Sequence, residues 1–297
     1  MGSIFGARLA EGGYDIVLVD VAAPLVDKVN GDGITIVRGD EETVTRVRAV
    51  ADPAALGEVD LVVCCVKCYH TRSAADLARP LVGRDTVVAS LQNGWGNGDV
   101  LAEIYPPEQI VIGVTYHSGT VLEPGRVAHT GMGPTTVGPY AGDSSGGAER
   151  LASALTAGGV EVHVVNPIRP EIWKKLILNA ATLPTAALAG MSAGALTEQP
   201  DMHELVSATA REATAVARAL GYDIDAEERV RYIHGLLERA GAGRASMLQD
   251  FDAGRRTEVD VINGAVVKAG DEHGVPVPLN RAFLQLVRGW ESIRGLA

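Results

Sequence analysis

Five short apolar runs, spread over the first 165 or so residues, constrain this chain more than any other feature. They are Asp15-Ile16-Val17-Leu18-Val19, Leu61-Val62-Val63-Cys64-Cys65-Val66, Thr86-Val87-Val88-Ala89, Ile110-Val111-Ile112-Gly113-Val114 and Val160-Glu161-Val162-His163-Val164-Val165. Near-continuous apolar strands belong to parallel sheets covered on both faces. Segments of helical pattern lie between them, and that alternation defines a doubly wound α/β domain of Rossmann type. Asp52-Pro53 reads as a helix start, a cap followed by proline at the first helical position. The Gly- and Ser-rich stretch 142–147 reads as a surface loop inside this domain.

The pattern changes after Pro167 and becomes almost entirely helical. Residues 202–220 repeat apolar side chains at helical spacing and stop at Gly221. Asp225 with Glu228 resembles a capping box. Residues 257–269 read as a helix with Val259, Ile262 and Val266 on one face, and Asn280 as the cap of a last helix carrying Phe283, Val287 and Trp290. At roughly 100–200 residues per domain, 297 residues make about two domains. The expectation is a dinucleotide-binding, Rossmann-like domain over 1–166, truncated at its N-terminus, and an all-α substrate domain over 167–297.

Composition excludes several classes. Lys plus Arg is 26 against 37 Asp plus Glu, a net charge of -11. Such a chain repels phosphate backbones, which argues against general nucleic-acid binding. Three cysteines, all between 64 and 68, cannot staple an extracellular scaffold, so a reducing cytoplasm fits. The first residues carry no basic segment ahead of an apolar core, unlike a signal peptide. Residues 176–197 are uncharged and long enough to span a bilayer. They are mostly alanine, however, and include Asn179, Pro184, Gly190, Ser192 and Gly194, so a buried helix followed by a turn is the better reading.

A dinucleotide fold opens with a strand, a G-x-G-x-x-G turn and a helix. Here only the tail of that motif is present, with Met1-Gly2 as its last two positions. The helix then runs to about Gly12, with Ile4, Phe5 and Leu9 buried, and the missing strand suggests that the true start lies upstream of Met1. Asp20 follows Gly2 by 18 residues, at the end of the next strand, where a carboxylate accepts hydrogen bonds from the adenosine ribose. A 2′-phosphate there would be repelled, which favours NAD over NADP. The plain alternative is a chain that simply begins with a helix and has Asp20 in a turn.

Several side chains have chemical potential. Lys175 and Asn179, four apart in Glu171-Ile172-Trp173-Lys174-Lys175-Leu176-Ile177-Leu178-Asn179, share one helical face. A lysine in such apolar surroundings loses hydration, its pKa falls, and it can donate a proton near neutrality. The alternative is that Lys175 reaches solvent and Asn179 caps a turn. Thr257 looks like an N-cap with Glu258 in the first helical turn; either this is capping alone, or Glu258 partners Lys175 and Ser246 binds a substrate carboxylate. Asn93-Gly94 follows a buried strand, as does Lys67, and in open α/β sheets the carboxyl ends of strands line the ligand crevice; Asn93-Gly94 is equally a turn signal. Cys64 and Cys65 are adjacent on a strand and point to opposite faces, so core thiols fit them better than a metal site. His117 follows a strand end, open to a structural role or to a place in the cleft.

Taken together, these segments resemble the ketopantoate reductase (2-dehydropantoate 2-reductase) family. The resemblance rests on Val66-Lys67, Leu91-Gln92-Asn93-Gly94, Val127-Ala128-His129-Thr130-Gly131, Trp173-Lys174-Lys175 through Asn179, Ser246-Met247-Leu248-Gln249-Asp250, Thr257-Glu258-Val259-Asp260-Val261-Ile262-Asn263-Gly264 and Gly274-Val275-Pro276-Val277-Pro278. It implies a Rossmann domain for a nicotinamide cofactor and a helical domain that closes the substrate cleft. It implies Lys175 as general acid, Asn179 as its assistant, Ser246 as a substrate-carboxylate ligand and Glu258 as the acid near nicotinamide and substrate. Gly2, Asp20, Lys67, Asn93 and Gly119 match cofactor-contacting positions, with no metal. The implied reaction moves hydride from NAD(P)H to the carbonyl carbon of a 2-oxo acid, as in pantothenate biosynthesis; the partner is that small acid, with no membrane, and a homodimer is one assembly open to the chain. The family commonly favours NADPH through a basic residue after the second strand, where this chain has Asp20-Val21. The family also often carries another asparagine where this chain has Leu183, which points to a more apolar 2-oxo acid. The rival readings are a family member acting on a different 2-oxo acid, and a binding protein that keeps only the fold.

Overall fold

The computed structural model describes residues 1–142 and 146–296. The chain forms two compact units. Met1–Gln92 with Asn97–Ile168 makes the first, and Arg169–Ala297 with the short segment Asn93–Gly96 makes the second.

The first unit begins with α1 (Gly2–Glu11), which buries Ile4, Phe5 and Leu9 as its pattern requires. There follow β1 (Val17–Val19), α2 (Ala23–Asp32), β2 (Ile34–Arg38), β3 (Glu41–Thr45), β4 (Arg48–Val50), β5 (Leu61–Cys64), α3 (Thr71–Leu77), β6 (Val87–Ser90), α4 (Asn97–Ala102), β7 (Ile110–Thr115), β8 (Ser118–Glu123), β9 (Arg126–Gly131), β10 (Thr135–Pro139), α5 (Gly146–Ala157) and β11 (Val162–Val164). The five apolar runs all become strands: β1, β5, β6, β7 and β11. β5, β6 and β7 pair in parallel, β10 joins β7 antiparallel, and β11 lies parallel to β10. Helices cover both faces of this sheet. Gly98 of α4 packs on Ile112, while Gly147 of α5 packs on Val111. Adjacent residues of a strand point to opposite faces, so α4 and α5 lie on opposite sides.

A second sheet, β3-β2-β9-β8, and the parallel pair β1–β4 complete the unit. The second sheet was not among the five apolar runs, although β2 alternates Ile34, Thr35, Ile36 and buries both isoleucines. Its outer strand β3 is Glu-Glu-Thr-Val-Thr and almost wholly exposed, so pairing with β2 rather than burial defines it. Asp52-Pro53 does not start a helix. Asp52 Oδ1 accepts from the Ala54 amide at 2.9 Å, Leu56 N closes one turn on Pro53 O, and Gly57 at φ +75° ends it. In the stretch expected to be a loop, residues 143–145 lie outside the described residues, and Gly146 already opens α5.

The second unit is helical: α6 (Arg169–Ala189), α7 (Ala193–Glu198), α8 (Pro200–Ala219), α9 (Ala226–Ala240), α10 (Ser246–Asp252), α11 (Asn263–His273) and α12 (Pro278–Ile293). α6 packs against α8, α10 and α12 and brings Trp173, Leu176, Ile177 and Ala180 into the core. The uncharged stretch is this buried helix plus α7, broken at Gly190, and no helix among the described residues is long and apolar enough to cross a membrane. Pro184 sits inside α6 and cannot donate to the carbonyl of Ala180. Asn263 Nδ2 donates to that oxygen instead, at 3.0 Å.

Asp225 caps α9 as expected, accepting from Glu228 N at 2.7 Å. Two other expectations are corrected. Residues 257–269 are not one helix: a 3-10 turn, Val259–Val261, is separated from α11 by Ile262 at φ −104°, ψ −91°. Val259, Ile262 and Val266 are nevertheless all fully buried. Asn280 is not a cap, since α12 starts at Pro278. The carboxylate of Glu212, on α8, does the capping by accepting from the amides of Leu279 and Asn280 at 2.9 and 3.0 Å.

Candidate active site

In the helical unit three of the expected side chains meet. Lys175 Nζ donates to Asn93 Oδ1 at 2.9 Å, and Asn93 Nδ2 donates to Glu258 Oε2 at 3.4 Å. The asparagine thus joins an amine to a carboxylate and fixes its own orientation, since oxygen must face the amine and nitrogen the acid. Burial lowers the Lys175 pKa to about 8, and the negative charge of Glu258 pulls against that shift.

Each member is placed by its local sequence. Lys175 rides on α6, whose neighbouring residues Trp173, Leu176 and Ile177 anchor the helix in the core. Asn93 sits on a turn that only glycine permits. Gly94 has φ +86°, and a Cβ there would lie 2.4 Å from Val261 Cγ2 and 2.6 Å from Val261 O. Trp95 N then donates to Val261 O at 2.9 Å, tying the turn to the segment that follows Glu258. Glu258 itself is 7% exposed and precedes the 3-10 turn rather than lying in an α-helix. Thr257 holds that turn from both sides. Its hydroxyl accepts from Val259 N at 3.2 Å and donates to Glu291 Oε1 at 2.6 Å.

Asn179 is buried one helical turn after Lys175, and Leu183 continues the same face one turn further on. Ser246 stands exposed in the first turn of α10, outside the chain of bonds that joins Lys175, Asn93 and Glu258.

The remaining candidates lie in the α/β unit. Asp20 follows β1; its Oδ1 accepts from Ala22 N at 2.9 Å, and Oδ2 takes no bond from the described residues. Gly2 opens α1, whose first internal bond is Phe5 N to Met1 O, leaving the earlier amides without helical acceptors. Lys67 follows β5 and its carbonyl accepts from His70 N at 2.8 Å. Gly119, on β8, packs so closely on α1 that a Cβ would come 2.5 Å from Ile4 Cδ1. Sequence reasoning assigned no role to Gln92. It binds the loops at the carboxyl ends of β5 and β6, donating at 2.8 Å to both Val66 O and Thr71 Oγ1 while accepting from Ser90 Oγ at 2.8 Å. Its sequence signals were its place two residues after a buried strand and within the Leu91-Gln92-Asn93-Gly94 segment.

Burial pushes the Cys64 thiol up to about 12 and raises that of Cys65, so neither is a reactive thiolate. Among the described residues no group of three His, Cys, Asp or Glu side chains is gathered as a metal site.

The acceptor at Asp20, the free amides of α1 and the donors at the strand ends suit a dinucleotide, and the amine–amide–acid chain suits proton transfer to an oxygen. Comparison with known proteins shows the family to which the chain belongs. The model of the ketopantoate reductase PanE/ApbA family matches residues 1–142, and that of its C-terminal domain matches residues 167–291. The chain belongs to the ketopantoate reductase family. It is 36% identical to 2-dehydropantoate 2-reductase of Halobacterium salinarum over 290 residues, covering 97% of this chain and 95% of that protein. It is likewise 36% identical to the Archaeoglobus fulgidus enzyme of that name, covering 98% and 95%. Among solved structures, the ternary complex of D-mandelate dehydrogenase with NADH and anilino(oxo)acetate superposes with a TM-score of 0.94 at 25% identity, covering 100% of this chain and 97% of that one. A PanE/ApbA family ketopantoate reductase from Ralstonia eutropha gives 0.87 at 32% identity, covering 98% and 95%.

Proposed function

We propose that this protein is a nicotinamide-dependent reductase of 2-oxo acids, of the 2-dehydropantoate 2-reductase type, working in the cytoplasm. The observation that carries the reading is Lys175, an amine whose pKa burial lowers to about 8, held by Asn93 with Glu258 behind it. When bound, the reduced nicotinamide supplies hydride to the carbonyl carbon of the acid. Gly2, Asp20, Lys67 and Gly119 would hold the dinucleotide. Asp20 suits a ribose diol and repels a 2′-phosphate, which makes NADH the preferred form.

The chain's own residues then manage one proton and one developing charge. Lys175, protonated at neutral pH, donates from Nζ to the carbonyl oxygen and neutralises the negative charge that grows there. Asn93 keeps Nζ from swinging away, and Glu258 stabilises the ammonium before transfer. Asn179, on the same helical face, would hold the substrate beside Lys175, and Ser246 would take its carboxylate.

The test is oxidation of NADH and of NADPH with ketopantoate, followed by nicotinamide absorbance. Turnover favouring NADH is expected. Turnover favouring NADPH overturns the assignment of Asp20 and leaves the chemistry standing. No turnover with either cofactor across a panel of 2-oxo acids overturns the reading in favour of a binding protein. In that case Lys175→Ala would leave ligand affinity untouched.

A second substrate reading has its own support. Leu183 places an apolar side chain on the face of Lys175 and Asn179, and the D-mandelate dehydrogenase to which this chain is similar was solved with NADH and anilino(oxo)acetate. A higher kcat/KM for an aryl-substituted 2-oxo acid than for ketopantoate would establish it.

A further inference from the structure

The α/β unit contains a chain of side-chain hydrogen bonds that the proposed chemistry leaves unused. Arg38, on β2, donates from Nε to His129 Nδ1 at 3.2 Å, and His129 Nε2 lies 2.8 Å from His117 Nδ1. The Arg38 bond sets the direction of this chain. A guanidinium Nε always carries its proton, so His129 Nδ1 must accept. Neutral His129 then carries its proton on Nε2 and donates to His117 Nδ1. Neutral His117 in turn must carry its proton on Nε2, which takes no bond from the described residues.

The surroundings favour the neutral form of both rings. Burial lowers the pKa of both and, with the neighbouring ring and the cationic Arg38 and Arg8, takes His129 to about 4 against a hydrogen bond to the Gly131 backbone that pulls the other way. Glu11 and Glu41 are the acids facing Arg38. The rings stack at 5.0 Å, and His129 is only 6% exposed. His117 lies two residues beyond β7, past the carboxyl end of a strand parallel to β5 and β6. Its ring lies 6.0 Å from Phe5, and Gly119, two residues on, packs against Ile4. The donor is therefore held beside the first turn of α1, on the edge where open α/β sheets bind ligands.

We infer that His117 is a cofactor-binding residue, donating from Nε2 to a diphosphate oxygen of the dinucleotide, and that Arg38 and His129 are positioning residues that keep that proton facing outward. This rests on the dinucleotide reading given above. A purely structural role would need only the packing of the rings, and that difference makes the idea testable. His117→Phe keeps an aromatic ring against His129 and Phe5 but removes the donor. His117→Gln keeps a donor.

Dissociation constants for NADH, from nicotinamide fluorescence, and for ADP, by competition, would be measured beside Tm. His117→Phe should weaken both ligands about tenfold, the worth of one hydrogen bond, while His117→Gln recovers most of the loss. Arg38→Met should weaken NADH by about threefold, because His129 is then free to adopt the other tautomer. An unchanged dissociation constant in His117→Phe with a lower Tm overturns the inference in favour of a structural cluster. A loss for NADH but not for ADP overturns the diphosphate assignment. If His117→Phe does not fold, Arg38→Met decides, and unchanged affinity there also overturns the inference. Failure of the unaltered protein to bind NADH or NADPH would instead sink the cofactor reading itself, and this inference with it.

Discussion

Lys175 carries two consequences that pull in opposite directions. Its amine leaves water on folding, so its pKa falls from 10.5 to about 8. The unfolded chain therefore binds the proton more tightly than the native one. Stability is reduced below about pH 8 and recovers as pH rises from there toward 10.5. Lys175→Met removes that penalty but also removes the hydrogen bond from Nζ to Asn93 Oδ1. A net gain of about 1 kcal/mol in denaturant unfolding at neutral pH is expected, together with loss of turnover by about 100-fold or more. In the unaltered enzyme, kcat/KM for reduction should hold level and then fall about tenfold per pH unit above about 8, while the reverse oxidation rises over the same range. A reduction profile without that limb would exclude Lys175 as the acid. Leu183→Asn tests the neighbouring position. It should raise kcat/KM for ketopantoate relative to an aryl-substituted acid by about tenfold, the worth of one added polar contact.

Among the elements, α6 shows what pattern reading can and cannot see. Its apolar spacing marked the helix and put Lys175 and Asn179 on one face, so that part of the candidate site was legible. The repair of Pro184 was not, because the donor that meets the stranded carbonyl of Ala180 is Asn263, far along the chain. The cap of α12 was missed for the same reason. Asn280 has the right local chemistry, yet Glu212 reaches the helix from α8. Glu212→Ala should cost about 1–3 kcal/mol, since the amides of Leu279 and Asn280 and the Asn280 side chain lose their acceptor together. A loss below a few tenths of a kcal/mol in chemical denaturation would show that water replaces the carboxylate. The second sheet was not read from the sequence: β3 is polar and exposed, and the alternation Ile34-Thr35-Ile36-Val37 in β2, with its first and third residues buried, was a strand signal that went unused.

The whole molecule has a separate core in each unit. Val87, Val111, Leu151 and Leu155 belong to one, and Trp173, Leu176, Ile233 and Val266 to the other. The helical unit is not a continuous stretch of chain, however. It draws in Asn93–Gly96, so that Trp95 packs against Trp173 at 5.6 Å between ring centroids and Asn93 reaches Lys175. A fragment of residues 169–297 should therefore be helical by circular dichroism but should melt about 10 °C or more below the intact chain, a few kcal/mol being worth several degrees each. Equal melting temperatures would mean that the four-residue segment adds nothing to that core.

The borrowed segment also sets how relatives of this protein can exchange parts. A crossover placed at residue 168 alone would join the helices of one lineage to a turn from another, and Gly94 would then face an unfamiliar side chain where Val261 now leaves no room for a Cβ. Working hybrids should be those in which residues 93–96 travel with the helices, so heredity in this fold is partitioned by four residues that lie far upstream of the boundary visible in the sequence.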